Sequence, residues 1–422
     1  MPFDYKKVRF NVVLLSAIQA FDYAIPLVAI PYLLHTLGAV GYGKIAFVQA
    51  FCSYFVLLID FGFNWTGVRD IAVNASNKEY IARLFWRIQI IRFILCSISI
   101  GVIWTAIIWM PGLSPYASVL KVGCLILIGA AIYPLWLLQG LEKLRESALI
   151  QISVRLLMLM CVFVFIKGEQ DLVLAAVLLM VSTPLSGIIA LLFLSFGRNI
   201  DWRQPSRSEL VSELLNSWHV FLTSAASSVY RSSSAVVLGL VTGPQAVAYF
   251  ATAEKVVKAT QEMTRPIVQA TYASVSALAS SDRNQCFVLL RKIFYFIFFF
   301  CALSSSVLLF FAGDIVYFFY GKYIEEARSV LMFLAFVPLV GGLNSVLGVQ
   351  TLHALNFSKS FSYMVVLTGA FHLLVIFPSV YWYAENGAAV CFLASEMFLL
   401  GLLVRFHFRN NILVLPKLGG VW

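Results

Sequence analysis

The chain has 422 residues, 61% of them apolar and 12% charged, with a formal net charge of +10. A water-soluble domain carries about 45–50% apolar and about 25% charged residues. A cytosolic enzyme, a nucleic-acid-binding domain, a disordered chain and a small disulfide scaffold are therefore excluded, which leaves an integral membrane protein with no nucleic-acid partner.

The chain opens with Met1-Pro-Phe-Asp-Tyr-Lys-Lys-Val-Arg9, a short basic lead into a long apolar run. A cleavable signal has an apolar core of about 7–15 residues and a small-residue cleavage site. This run is longer and continues through Pro31-Tyr-Leu-Leu34, so it reads as a retained first helix. Stretches near the roughly 20 apolar residues that span a bilayer fall at 11–34, 43–64, 88–110, 116–139, 148–167, 172–196, 216–241, 246–269, 290–312, 328–352, 360–382 and 386–408. The polar stretch 246–269 has the least defined bounds. Short connections take up the rest, so no soluble domain fits.

The basic residues alternate with the spans. Lys6, Lys7 and Arg9 begin one series of ends, which runs through Lys78, Arg145, Arg203, Arg283 and Lys359 to Lys417 and totals nineteen Lys and Arg. The opposite ends carry only Lys121, Lys167, Lys322 and Arg328. Lys and Arg collect on the cytoplasmic side, so both termini are expected in the cytoplasm.

The longest polar gap near the middle, Arg198 to Asn216, divides the spans six and six. Gly41-Tyr-Gly-Lys-Ile-Ala-Phe-Val-Gln49 aligns with Ala246-Val-Ala-Tyr-Phe-Ala-Thr-Ala-Glu254, each after a Gly-containing turn. The expected fold is therefore all-α: about twelve transmembrane helices in two parallel six-helix lobes around a central cavity. The N-terminal lobe is 1–197, a cytoplasmic linker 198–215, and the C-terminal lobe 216–422. Transporters with parallel repeats bind substrate where the repeats meet, near mid-membrane.

Charged groups inside spans are costly and are functional candidates by default. They are Asp22, beside Gln19, in the first span and Asp60 in the second. Arg231 follows in the seventh, and Glu254, Lys255, Lys258, Glu262 and Arg265 in the eighth. The last four of these are spaced 3, 4 and 3, one face of a helix over about 15 Å. Arg231 and Lys255 stand symmetrically about Gly243, at the same depth on a helix hairpin. A cation cluster at that depth calls for an anion, and pyrophosphate is the anion that a membrane lipid offers. Arg grips it with a planar fork and Lys adds point charge.

Each candidate has a structural alternative. Lys258 with Glu262, and Glu262 with Arg265, fit ordinary ion pairs. Asp60 can be interfacial, and Asp22 can hydrogen-bond between helices. Arg92 and Arg155 lie near enough to cytoplasmic ends to snorkel. The seven Cys form no C-x-x-C pair, and the five His show no metal-ligand spacing. No metal, catalytic residue or cofactor is expected.

Pro31-Tyr-Leu-Leu-x-x-Leu-Gly-x-x-Gly-x-Gly-x-x-Ala-Phe-x-Gln49 and Tyr54-x-x-x-Leu-x-Asp60-x-Gly-Phe63, followed by Arg69-Asp-Ile-Ala, resemble the opening signature of the Wzx-type O-antigen flippases. These are polysaccharide transporters of the multidrug/oligosaccharidyl-lipid/polysaccharide (MOP) exporter superfamily. Ala253-Glu-Lys-Val looks like the second-half counterpart. The resemblance implies a MATE/MOP-like transporter of the bacterial inner membrane, not an enzyme. Its implied substrate is an undecaprenyl-pyrophosphate-linked oligosaccharide, turned from the cytoplasmic to the periplasmic leaflet by alternating access. Membrane lipid, a polymerase and other surface-polysaccharide assembly proteins are the implied partners. Arg231, Lys255, Lys258 and Arg265 then contact the pyrophosphate, and Asp22, Asp60, Glu254 and Glu262 serve the cavity or the coupling. Rival readings are a drug or cation exporter of the same superfamily, which calls for an acidic cavity, and a glycan polymerase or ligase, which calls for a large periplasmic loop.

Overall fold

The computed structural model describes residues 5–197, 204–412 and 414, and every regular element among them is helical. The side chains of Asp22 and Arg231 lie outside the described set, although both backbones are helical.

Helix α1 (Tyr5–Asp60) holds the first two expected spans, joined at Gly38 with φ 71° and ψ 172°. That conformation suits a residue without a Cβ. Next come α2 (Phe63–Val73), α3 (Lys78–Trp109), α4 (Ala117–Ile132), α5 (Leu135–Gly140) and α6 (Leu144–Phe165). They are followed by α7 (Leu172–Met180), α8 (Ser182–Gly197), α9 (Arg207–Val241), α10 (Pro244–Glu262) and α11 (Arg265–Ser281). The chain ends through α12 (Arg283–Phe310), α13 (Ala312–Tyr320), α14 (Glu325–Leu334), α15 (Val337–Asn344), a π-helical stretch Ser345–Leu352, and α16 (Ser358–Arg409). The last helix again holds two expected spans, joined at Ala384.

Among the described residues, eight helical stretches are long and apolar enough to cross a membrane; Ala24–Val73 covers the end of the first expected span and all of the second, and Ser358–Arg409 holds the last two. The seventh and eighth expected spans fall outside the eight. Of the seventh, Ser232–Val241 qualifies as a short apolar helix. The eighth is charged and broken at residues 263–264.

The chain divides into two compact units, Val28–Ala248 and Tyr249–Trp422 with Met1–Leu27. The core of the first packs Phe63, Ile71, Phe85 and Ile88 against Trp136 and Leu137. There α2 and α5 approach closely: a Cβ on Gly67 would sit 2.8 Å from the Trp136 ring. In the second, Cys286, Leu290, Ile293 and Ile297 of α12 pack on Val346 and Leu347 of the π stretch and on Leu399 and Leu403 of α16. Large aromatics are exposed at several helix ends, among them Trp65 and Trp109 in the first unit and Tyr363 and Tyr381 in the second, at 71–78%. Trp and Tyr are enriched where helices meet a membrane–water interface.

Candidate functional site

In the unit Tyr249–Trp422, α10 carries Glu254, Lys255, Lys258 and Glu262 on consecutive turns. The expected single face stops at Glu262. Residues 263–264 form a turn, and α11 starts at Arg265 with Pro266 beside it in the first helical turn. Proline has no N–H to give to the preceding helix but is tolerated where a helix begins. Arg265 thus opens a new helix instead of completing the face of α10.

Two of the cations are paired. Lys258 Nζ lies 2.7 Å from Glu254 Oε1, and Arg265 Nη1 lies 3.1 Å from Glu262 Oε2. The expected Lys258–Glu262 pair is replaced by Lys258–Glu254. Glu four residues before Lys is the favoured orientation, and this choice leaves Glu262 for Arg265. Lys255 is half-buried on the same helix. Lys255, Lys258 and Arg265 thus stand among the carboxylates Glu254 and Glu262 on α10 and at the start of α11. Gln261 Nε2 donates to Val337 O at 3.1 Å, and the Tyr320 hydroxyl donates to Thr252 at 3.2 Å, which fix the rotation of α10 within its unit.

In the unit Val28–Ala248, Asp60 is the last residue of α1, at a helix break. Phe61 and Gly62 both take left-handed backbone, with φ 45° and 83°. That is costly for a bulky residue. Phe61 is held there by stacking on Phe221 at a ring separation of 4.5 Å.

Arg92 corrects an expectation. It does not snorkel: it is 4% exposed, and its Nη1 donates to Tyr133 O at 3.1 Å and its Nη2 to Ala130 O. The cause is Pro134. Without an N–H it cannot serve Ala130 O, the carbonyl four residues back, and α4 ends at Ile132. Gln89 Nε2 takes the neighbouring Ala131 O at 2.7 Å.

One intramembrane carboxylate escaped the sequence reading. Glu396, in the middle of the last span, has Oε2 accepting at 2.8 Å from Asn344 Nδ2, which also donates to Glu396 O at 3.0 Å. Asn344 directly precedes the π-helical stretch, a form of helix often found at functional sites. Glu396 was visible in the sequence as an acidic residue within an apolar span. Among the described residues no group of three or more His, Cys, Asp or Glu gathers as a metal site.

The broken helices and buried charges belong to a multi-pass membrane transporter, and likeness to solved structures shows the same fold. A structure described as the inward-facing conformation of a multidrug resistance MATE family transporter of the MOP superfamily matches with a TM-score of 0.72. It is 15% identical, and 94% of this chain and 95% of that one are covered. The lipid II flippase MurJ, inward closed conformation, matches with a TM-score of 0.73 at 13% identity, over 94% and 87%. The chain belongs to the polysaccharide biosynthesis protein family, whose model matches residues 8–278. A relative from Escherichia coli (strain K12) named "Putative O-antigen transporter" is 30% identical over 96% of this chain and 98% of its own length. One of the same name from Shigella dysenteriae is 24% identical over 92% and 96%. The family and the fold are those of transporters, not of enzymes.

Proposed function

We propose that this chain is a flippase. It turns an undecaprenyl-pyrophosphate-linked oligosaccharide, a repeat unit of O-antigen or a related surface polysaccharide, from the cytoplasmic to the periplasmic leaflet. It works by alternating access in the bacterial inner membrane, with both termini cytoplasmic and two six-helix lobes, 1–197 and 216–422, joined by the linker 198–215. The single observation that carries this reading is the 30% identity, spread over nearly the whole length of both chains, to a relative named for O-antigen transport.

The chemistry of α10 supports it. Lys255, Lys258 and Arg265, brought together on α10 and at the start of α11, are groups that an anionic ligand can use. In this reading Arg231, Lys255, Lys258 and Arg265 contact the pyrophosphate. Asp22, Asp60, Glu254 and Glu262 serve the cavity or the coupling.

The test is complementation. In a strain whose own copy is deleted, the wild-type gene restores surface polysaccharide. Lys255→Gln restores protein in the membrane but little polysaccharide. Full polysaccharide from Lys255→Gln removes this residue from the pyrophosphate site. A deletion strain with normal surface polysaccharide and lowered drug tolerance replaces the flippase reading with drug export, a reading that the MATE-like fold supports.

A further inference from the structure

Within the unit Val28–Ala248 two helix breaks line one cavity. The first is the left-handed turn Asp60-Phe61-Gly62 between α1 and α2. The second is the Pro134 break between α4 and α5. The cavity holds about 420 Å³, and its polar lining includes Ser53, Asp60, Asn64, Arg92, Thr183 and Ser228. Small-molecule sites run from about 300 to 1,000 Å³ and place a few polar groups on a mostly apolar wall. One water has a share of about 30 Å³ of liquid volume, so this space exceeds what a single bridging water fills.

Three of the residues that line it each keep one polar atom without a partner. Asp60 Oδ1, Asn64 Oδ1 and Arg92 Nε are buried without hydrogen-bond partners, and Arg92 is only 4% exposed. Leaving such atoms unpaired costs free energy. Irregular backbone at membrane depth is tolerated where it is buried in protein or lines a cavity, and discontinuous helices build transporter substrate sites. Charge selects the ligand. A lone anion would meet Asp60 and a lone cation would meet Arg92. A neutral molecule that both donates and accepts satisfies all three atoms. Adjacent hydroxyls on one ring do this once small side-chain rotations turn these buried atoms toward the cavity: they donate to Asp60 Oδ1 and Asn64 Oδ1 and accept from Arg92 Nε, with Thr183 and Ser228 hydroxyls at hand.

We propose that this cavity is a sugar subsite holding one neutral, hydroxyl-bearing ring of the transported oligosaccharide. The inference rests on the reading of the cargo as a lipid-linked oligosaccharide. It assigns the glycan and the pyrophosphate to different residues: Asp60, Asn64 and Arg92 for the sugar, and the cations of α10 for the phosphate.

The experiment uses the purified full-length protein and reads its thermal unfolding midpoint. The probes are glucose, galactose, N-acetylglucosamine and rhamnose, with sorbitol as a control because polyols stabilise proteins by general exclusion. Inorganic pyrophosphate is titrated in parallel. At least one ring raises the midpoint saturably above the sorbitol trend. Asn64→Leu, which removes an acceptor and fills space, abolishes the saturable part and keeps the pyrophosphate response. Lys255→Gln does the reverse. Asp60→Asn is the second variant should Asn64→Leu fail to fold; it keeps the shape, removes the charge and lowers sugar affinity several-fold. The sugar subsite is overturned if no ring acts saturably on the wild type, or if the response survives both Asn64→Leu and Asp60→Asn. A sugar response without any pyrophosphate response leaves this subsite standing and overturns the phosphate half of the proposed function.

Discussion

Two regions of this chain hold buried charge, and they use it differently. In the unit Val28–Ala248, Arg92 spends its terminal nitrogens on the carbonyls of Tyr133 and Ala130, keeps Nε unpartnered, and lines the same cavity as Asp60. In the unit Tyr249–Trp422, Lys258 and Arg265 pair with carboxylates close in sequence on α10 and α11. The first arrangement repairs a broken helix and balances its charge. The second sets cations against carboxylates within one helical turn. An intramembrane Arg is therefore not by itself an anion site: what its donors touch decides its job.

The largest expected effect breaks the comparison at Arg231, whose backbone is helical in α9. If it is a phosphate contact, Arg231→Ala loses nearly all surface polysaccharide while membrane abundance holds. Arg231→Lys recovers part, because it keeps the charge and loses the fork. Normal polysaccharide from Arg231→Ala ends the phosphate role of this residue.

Arg92 should fail in the other way. Arg92→Met leaves the Ala130 carbonyl unpaired, at about 1–3 kcal/mol for a buried group, leaves Tyr133 O with the Leu135 N–H alone, and should lower membrane abundance several-fold. Pro134→Ala in the same chain returns an N–H to Ala130 O and should recover part of that loss, since the second Arg92 bond, to Tyr133 O, stays lost. Abundance in the two single variants and the double is the measurement. No recovery in the double would show that the proline break is not what Arg92 serves.

The ion pairs on α10 give a smaller effect. Breaking Lys258–Glu254 with either single change leaves a charge at membrane depth, at about 2.5–3.5 kcal/mol on insertion scales. Lys258→Gln with Glu254→Gln should restore abundance, and Lys258→Gln with Glu262→Gln should not, because Glu262 belongs to Arg265. If Lys258 also touches phosphate, the first double restores protein but not export. Full export from it would make Lys258 a structural partner only.

The class, an all-helical multi-pass membrane protein, was legible because hydropathy acts over windows of about 20 residues, long enough to average out local irregularity. Breaks and faces are decided by single atoms, and there the sequence was less informative. Pro266 signalled that α10 could not continue, yet spacing alone carried Arg265 onto its face. Pro134 marked a break, but nothing local showed that Arg92, forty-two positions earlier, supplies the missing donor. Glu254 and Glu262 stand equally far from Lys258, and only the orientation preference of such pairs separates them. Phe61 in left-handed backbone has no sequence signature, because the rings that hold it come from α9.

The smallest expected effect lies outside the membrane, at the start of α9, where two carboxyls one turn apart respond to pH in opposite senses. Glu209 accepts from the Ser206 backbone N–H at 2.8 Å in a capping box and from Arg87 Nη2 at 2.5 Å. These bonds, the backbone one foremost, hold its carboxyl below the usual range. Glu213 is buried with Oε1 unpartnered, and burial first, then the nearby Asp70 charge, pushes its carboxyl up. A depressed carboxyl stabilises the fold above its unfolded pKa, and that stability is lost as pH falls through the folded value. A raised one gives stability that is complete below its unfolded pKa and disappears as pH rises through the folded value. On acidification from neutrality Glu213 therefore protonates first and the unfolding midpoint of the purified protein rises slightly. Only at lower pH does loss of the Glu209 bonds bring it down, and that fall is shallow because Glu209 is solvent-screened. Glu213→Gln should remove the rise and leave the fall, whereas Glu209→Gln should soften the fall and leave the rise. An unchanged profile in Glu213→Gln would mean that its carboxyl is not the group titrating.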